Sequence, residues 1–251
     1  MSLVLPAARL SNAAILAAWE AGQAGSPLDR ASAILWYAVP DTQRQELDAW
    51  TSGHRDARLL DVYAATFGDH IAGLVACPEC GEQLEIALRP DDIRSPYGTA
   101  EEEFDLGDAE SGYRVVFRLP ASADLRASAV HESEGVARRA LLERCIVRAE
   151  QAGAAVLAGD LPESLIVRVG EAMAEHDAQS DVRLDLACPA CAHTWQARFD
   201  IGDFVWREVV ARVRRLITDV HTLALAYGWR EADILALSDA RRNMYLERLL
   251  G

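Results

Sequence analysis

The chain has 251 residues, half of them hydrophobic, and its 25 basic against 39 acidic residues leave a net charge of −14; this is the composition of a folded chain, not a disordered one. All 25 basic residues are arginine, which removes the Walker-A lysine, Schiff-base chemistry and the kinase phosphate-pairing lysine together. The acidic balance also argues against a phosphate-backbone binder, which needs a net basic surface.

The first elements in chain order read as helices. Ile15, Leu16 and Trp19 mark a short helix from Ser11 to Ala21, and a second follows Pro27 with Ile34, Leu35 and Tyr37. Asp41 is placed to cap a helix carrying Leu47 and Trp50, and Arg55–Phe67 sets Leu59, Leu60, Tyr63 and Phe67 at helical spacing. Ile71–Ala76 and the alternation of Leu84, Ile86 and Leu88 predict a β-hairpin around Cys77–Gly81. Within Pro90–Gly112 the acidic run Glu101–Glu110 is expected to be a solvated loop, with a docking surface for a basic partner as the other reading. Tyr113–Pro120 alternates as a strand, a short helix starts at Ser122, and two more helices are expected over Gly135–Gln151 and Pro162–His176, with Gly153 and Gly159 in their connection.

A second hairpin is predicted from Val182–Leu186 and from Trp195, Ala197 and Phe199, around Cys188–Cys191. The longest helix covers Phe204–Tyr227, where Trp206, Val213, Val220 and Tyr227 recur every seven residues, with Val209, Leu216 and Leu223 three later. Asp233–Leu237 and Asp239–Leu250 close the chain as a short helical pair. Apolar stretches such as Ala13–Trp19 fall short of the roughly 18–20 residues that span a bilayer, and no arginine precedes Arg9, so no secretory leader is read. A cytoplasmic protein without membrane or nucleic-acid partners is expected.

Four of the five cysteines form two Ala-Cys-Pro-x-Cys knuckles, Cys77/Cys80 and Cys188/Cys191, at an offset of 111 residues. Under that offset Leu84 falls on Trp195, Leu88 on Phe199, Asp92 on Asp203 and Ile93 on Phe204. Each knuckle can offer two thiolates to one metal, and two knuckles complete a tetrahedron around Zn2+. A redox dithiol, structural disulfides and two half-sites completed by a second protomer are the other readings of the same pairs. A closed four-thiolate site is structural, because a catalytic zinc keeps a position open for water. His193 is a competing ligand by position, although a solvated hairpin residue is the plainer reading, and Cys145, beside Leu141, Leu142 and Ile146, reads as a buried inert thiol.

The resulting fold class is α+β: mainly α-helical, with a small antiparallel β zinc ribbon split by a long insertion. The segments are 1–70 (helical), 71–93 and 181–200 (the two ribbon halves), 94–180 (inserted strand and helices) and 201–251 (long helix and short helices).

Cys77–Gly81, Arg118-Leu-Pro-Ala-Ser-Ala-Asp-Leu125, Leu141–Cys145, Cys188–Trp195 and Val220–Trp229 together resemble the baseplate proteins of T4-type contractile phages and of phage-like injection systems. The likeness runs from about Asp56 onward, and Tyr227-Gly-Trp229, Ile234–Ser238 and Arg241-Arg-x-x-Tyr245 are its more specific part. It implies a baseplate hub component or hub assembly chaperone, acting on hub or tape-measure proteins, and no catalytic residue. A zinc-ribbon nucleic-acid adaptor and a tape-measure or tail assembly chaperone are the alternatives.

The partner-binding surface expected on this reading is the exposed part of the long-helix stripe with the terminal arginines: Trp206, Val213, Val220, Tyr227, Trp229, Arg241 and Arg242; burial of the stripe against its own domain, and a mixed solvated surface around the arginines, are the plainer readings of the same residues. From Trp206 onward eight Arg face six Asp+Glu, a local +2 on an acidic chain. Arg242→Glu is accordingly expected to leave the fold intact.

Overall fold

The computed structural model describes residues 9–39, 42–99, 101–108 and 112–250; the expected cap Asp41 and the end of the acidic run, Ala109 and Glu110, lie outside them. No helix among the described residues is long and apolar enough to cross a membrane. The chain divides into two compact units, one of Met1–Asp41, Leu59–His70 and Ile201–Gly251, the other of Thr42–Arg58 and Ile71–Asp200. The sequence segment 1–70 is thus shared between them.

Among the described residues every element of the first unit is a helix. α1 (Asn12–Gly22) starts where the Ser11 hydroxyl accepts the Ala14 N–H at 3.1 Å. α2 (Pro27–Ala38) starts on a reciprocal capping box between Ser26 and Asp29, with proline in its first turn. The last part of α4 (Ser52–Phe67), from Leu59, and the 27-residue α8 (Ile201–Tyr227) supply the rest of the core, which α9 (Glu231–Leu235) and α10 (Asp239–Leu250) extend. Ile15, Ile34, Leu35, Leu59, Leu60, Val209, Leu216 and Leu223 are all buried. The Trp206 ring lies against Gly22, where an added Cβ would sit 2.9 Å from it, and Arg30 covers the same ring at 5.5 Å. α1 therefore approaches α8 closely enough to need a residue without a side chain.

The second unit is built on an antiparallel sheet of order β3 (Glu103–Asp108), β4 (Tyr113–Arg118), β5 (Ile146–Gln151) and β6 (Ala154–Val156). α6 (Glu134–Cys145) and α7 (Glu163–His176) supply Leu142, Cys145, Leu165, Ile166, Val169 and Met173 to one core with Val115, Phe117 and Leu119. α3 (Arg44–Ala49) and α5 (Ser122–Ser128) belong to this unit, joined where Ser122 donates its N–H to the Trp50 carbonyl at 2.9 Å.

Two expectations change here. The run Glu101–Glu110 is not simply a solvated loop, because Glu103–Asp108 is the edge strand β3. Phe104 and Leu106 alternate with the acids; Phe104 stacks on Phe117 at 5.6 Å, while Asp105 pairs with Arg114 of β4. The helix expected over Gly135–Gln151 ends at Cys145, and Ile146–Gln151 is β5, hydrogen-bonded to β4 on one side and β6 on the other. β4 along the segment, and β6 beside Ala149–Gln151, offer it a ladder that local helical periodicity does not reveal.

Buried polar residues pin the segments flanking the cysteine hairpins. The Gln179 side chain accepts the Ser95 N–H at 2.6 Å and donates to the Ile93 carbonyl at 3.3 Å. Asp177, 3 % exposed, accepts the Gly53 N–H at 3.0 Å in the first turn of α4, and its Oδ1 has no partner among the described residues. Burial pushes the Asp177 carboxyl up to about 6, outweighing the Gly53 N–H, with nearby Asp56 adding to the rise and Arg55 opposing it.

Because the folded carboxyl holds its proton above the unfolded value of about 3.9, stability falls as pH rises from about 4 through 6, by at most about 3 kcal/mol. Asp177→Asn keeps an acceptor for Gly53 without the charge. The difference in unfolding free energy between wild type and this variant, measured by urea titration at pH 4.5 and 7.5, is expected to shift in the variant's favour at the higher pH. A difference that stays constant with pH would refute this assignment.

Candidate metal centre

The two knuckles share one backbone design. β1 (Ile71–Ala76) pairs with β2 (Gln83–Leu88), and β7 (Arg183–Ala187) with β8 (Thr194–Arg198), each as an antiparallel hairpin ending one residue before a cysteine. The Cys77 N–H donates to the Glu82 carbonyl and the Cys188 N–H to the His193 carbonyl, both at 2.8 Å. The Gly81 and Ala192 N–H groups then return to the Cys77 and Cys188 carbonyls, both at 2.9 Å. Every partner is displaced by 111 positions, so the repeat seen in the letters is a repeat in hydrogen bonding.

It continues past the strands. Pro90–Ile93 forms a single 3₁₀ turn where its counterpart, Ile201 onward, opens α8.

Both turns close through a left-handed residue, Gly81 at φ 77° and Ala192 at φ 59°. Alanine carries a strain there of about 1 kcal/mol that glycine does not, partly offset by glycine's greater freedom in the unfolded chain. Ala192→Gly is expected to hold or raise the melting temperature by 1–2 °C, as an order of magnitude, with metal content unchanged; a clear fall would contradict the strain.

The four sulfurs of Cys77, Cys80, Cys188 and Cys191 all lie within 4.8 Å of one another. Cys77 Sγ is 3.7 Å from Cys191 Sγ, and Cys80 Sγ is 3.6 Å from Cys188 Sγ. A disulfide would require about 2.05 Å, whereas a tetrahedron of thiolates about 2.3 Å from a central ion has edges of about 3.8 Å. The cluster fits one four-coordinate metal, with both pairs of one chain meeting at a single point. Cys77 and Cys188 are buried, while Cys80 and Cys191 face outward.

Electrostatics follow the same two-fold design. Desolvation raises the first thiol of each knuckle, but backbone N–H groups outweigh it: those of Cys80 and Glu79 hold Cys77 below its ordinary value, and those of Cys191 and Ala190 bring Cys188 to about 7. For Cys80 the Glu82 N–H lowers the thiol, but contact with the Cys191 sulfur and its other surroundings pushes it up to about 12. The metal-free cluster thus holds protons that a bound ion would displace.

His193 stands apart from the sulfurs' mutual contacts and stacks on Trp195 at 5.8 Å. Cys145 is fully buried, and burial pushes its thiol up to about 12, as fits an inert core residue.

The expected partner-binding residues separate into two groups. Trp206 and Val213 are 7 % and 2 % exposed and belong to the core of their own unit, and Val220 is half-buried. Tyr227, Trp229 and Arg241 reach the surface. The heptad line drifts because seven residues fall 20° short of two helical turns, so it leaves the buried face before Tyr227.

Arg242 is a correction. It is 1 % exposed, its Nε donating to Asp219 and its Nη2 to Asp239, both at 2.8 Å. It ties α10 to α8 inside the unit and offers no surface to a partner. Arg212 also pairs with Asp239.

Other residues of the resembling motifs are structural. Arg118 grips Asp124 through two hydrogen bonds of 2.6 and 3.0 Å, while Asp124 caps α5 through the Ala121 N–H. Gly228, at φ 66°, ends α8 and turns the chain to Trp229.

The chain is thus of α+β class, with two cysteine knuckles brought together into one half-buried sulfur cluster that could hold a metal ion. The family model of the T4 bacteriophage base plate protein matches residues 38–206, about two thirds of the chain. The chain therefore belongs to that family. The match contains both knuckles and the whole inserted segment, and it ends at Trp206, so the C-terminal motifs noted above lie beyond it. No curated protein and no solved structure matches the chain.

Proposed function

We propose that this baseplate protein is a non-enzymatic hub component or hub assembly chaperone of a contractile phage tail or phage-like injection system. It acts by binding hub or tape-measure proteins, is made in the bacterial cytoplasm, and carries Zn2+ on Cys77, Cys80, Cys188 and Cys191. Family membership supports the setting.

The observation that carries the non-enzymatic reading is the sulfur cluster. Four thiolates fill a tetrahedron, so the bound ion has no position for water or substrate and serves folding. Zinc suits an all-thiolate tetrahedron and adds no redox chemistry of its own.

Co-expression with the hub and tape-measure proteins encoded beside it, followed by purification of the metal-loaded protein, is expected to recover at least one of them. Failure with all of them would count against the reading. Immunoblots of finished particles then separate the two roles, since a hub component stays and a chaperone does not. X-ray absorption at the zinc edge is expected to show four sulfurs; an oxygen or nitrogen neighbour would open the site to other chemistry.

A further inference from the structure

We infer that the outer face of α10, with the aromatic residues beside it, is the docking surface for an acidic segment of the partner protein. The inference rests on the proposed binding role and names the chemistry of the partner.

At 100° per residue, Arg241, Met244, Tyr245, Arg248 and Leu249 share one arc of α10. Met244 is 69 % and Leu249 39 % exposed, and both arginines lie on the surface. Arg242, the neighbour that points inward, uses up Asp219 and Asp239 within the fold. Glu247 falls outside the arc. Among the described residues neither Arg241 nor Arg248 has an ion pair. On a chain of net charge −14 this helix face carries two arginines and no carboxylate.

Three rings hold the face in shape. Tyr245 meets Trp229 edge-on at 4.8 Å and Tyr227 at 5.9 Å, and Tyr227 stacks on Trp229 at 4.8 Å. Arg241 sits 6.0 Å from the centre of the Tyr245 ring. Fixed aromatic rings beside arginine lose little freedom on binding, and Tyr, Trp and Arg dominate binding hot spots. Arginine also grips carboxylates in a two-point geometry. A partner segment that alternates Glu or Asp with Leu or Phe would set carboxylates on Arg241 and Arg248 and an apolar side chain over Met244 and Tyr245. Charge complementarity selects an acidic protein segment as the occupant of this face.

The test uses the full metal-loaded protein and two fluorescein-labelled peptides, one alternating Glu with Leu and one alternating Lys with Leu, read by anisotropy at 50 and 200 mM salt. The acidic peptide is expected to bind, more weakly at high salt, and the basic one not to. Arg241→Glu/Arg248→Glu and, separately, Tyr245→Ala are expected to weaken acidic-peptide binding at least tenfold. Arg214→Glu/Arg215→Glu makes the same charge change on exposed positions of α8 and is expected to leave it within twofold. A circular-dichroism melt shows that each variant is folded.

Equal losses in both double variants would mean that net charge and not this face governs binding, and would overturn the proposal. So would unchanged binding in Arg241→Glu/Arg248→Glu. Should that variant still co-purify with a hub or tape-measure protein that wild type captures, this surface is wrong and the baseplate role stands. Should wild type capture none while binding acidic peptide through this face, the role fails and the surface remains.

Discussion

Replacing Cys188 with serine is expected to strip the metal from the protein and to lower its melting temperature by on the order of 10 °C or more. Structural zinc sites contribute their binding free energy directly to folding, about 10–16 kcal/mol in isolated finger peptides at neutral pH. Cys188 is buried, and its sulfur contacts the opposite knuckle at 3.6 Å. Serine at this position cannot supply a thiolate and leaves three sulfurs without a fourth.

Two comparisons isolate the cause. A strong chelator should bring wild type down to the melting temperature of the variant and leave the variant where it is. Cys145→Ser, which buries a hydroxyl in the core of the same unit, should cost about 1–3 kcal/mol yet keep one metal per chain. A Cys188→Ser protein that melts like wild type, or retains its metal, would show that the cluster is not a staple.

Arg242→Glu is expected to prevent the helical unit from folding. The substitution places a third carboxylate beside Asp219 and Asp239 at a position only 1 % exposed. Removing one partner of a buried pair already costs about 3–5 kcal/mol because the other is left charged and unpaired. Reversing the charge adds repulsion to that loss, enough to exceed the stability of many domains.

The rescue is specific. Arg242→Met combined with Asp219→Leu removes the buried pair and restores apolar contact, and it should recover most of the stability that Arg242→Met alone loses. Soluble expression and far-ultraviolet circular dichroism give the first answer, and urea denaturation of the double variant the second. A folded Arg242→Glu protein with a wild-type melt would contradict the buried network.

Much of this molecule could be read before any coordinates. The knuckles are a local code: a proline-containing turn between two cysteines, flanked by alternating residues, fixes its geometry within a dozen positions. α8 was legible for the same reason, since its apolar stripe repeats many times. What escaped reading depended on partners far away. β5 follows α6 without a break in hydrophobicity, and the ladders with β4 and β6 decide that Ile146–Gln151 extends. β3 hides its Phe104 and Leu106 among acids that face outward.

Arg242 escaped because its role depends on Asp219, 23 residues earlier. A signal for it did exist. Asp219 falls between Leu216 and Leu223 on the apolar face of α8, and a carboxylate in that position demands a buried cation. Asp177 and Gln179 gave no such sign, because nothing in their neighbourhood tells that they meet Gly53, Ile93 and Ser95.

The split of the candidate metal centre also bears on the spacing of its two cysteine pairs. Joining the ends of a flexible loop costs only about 0.6 kcal/mol more each time its length doubles. Closure entropy therefore sets no fixed spacing between the two knuckles; the folded sheet and core that lie between them here can differ in size provided that each stays a packed body that keeps its ends together. A search that fixes the distance between cysteine pairs would pass over chains of another spacing; one that pairs the knuckle turns by their left-handed closing residue would find them.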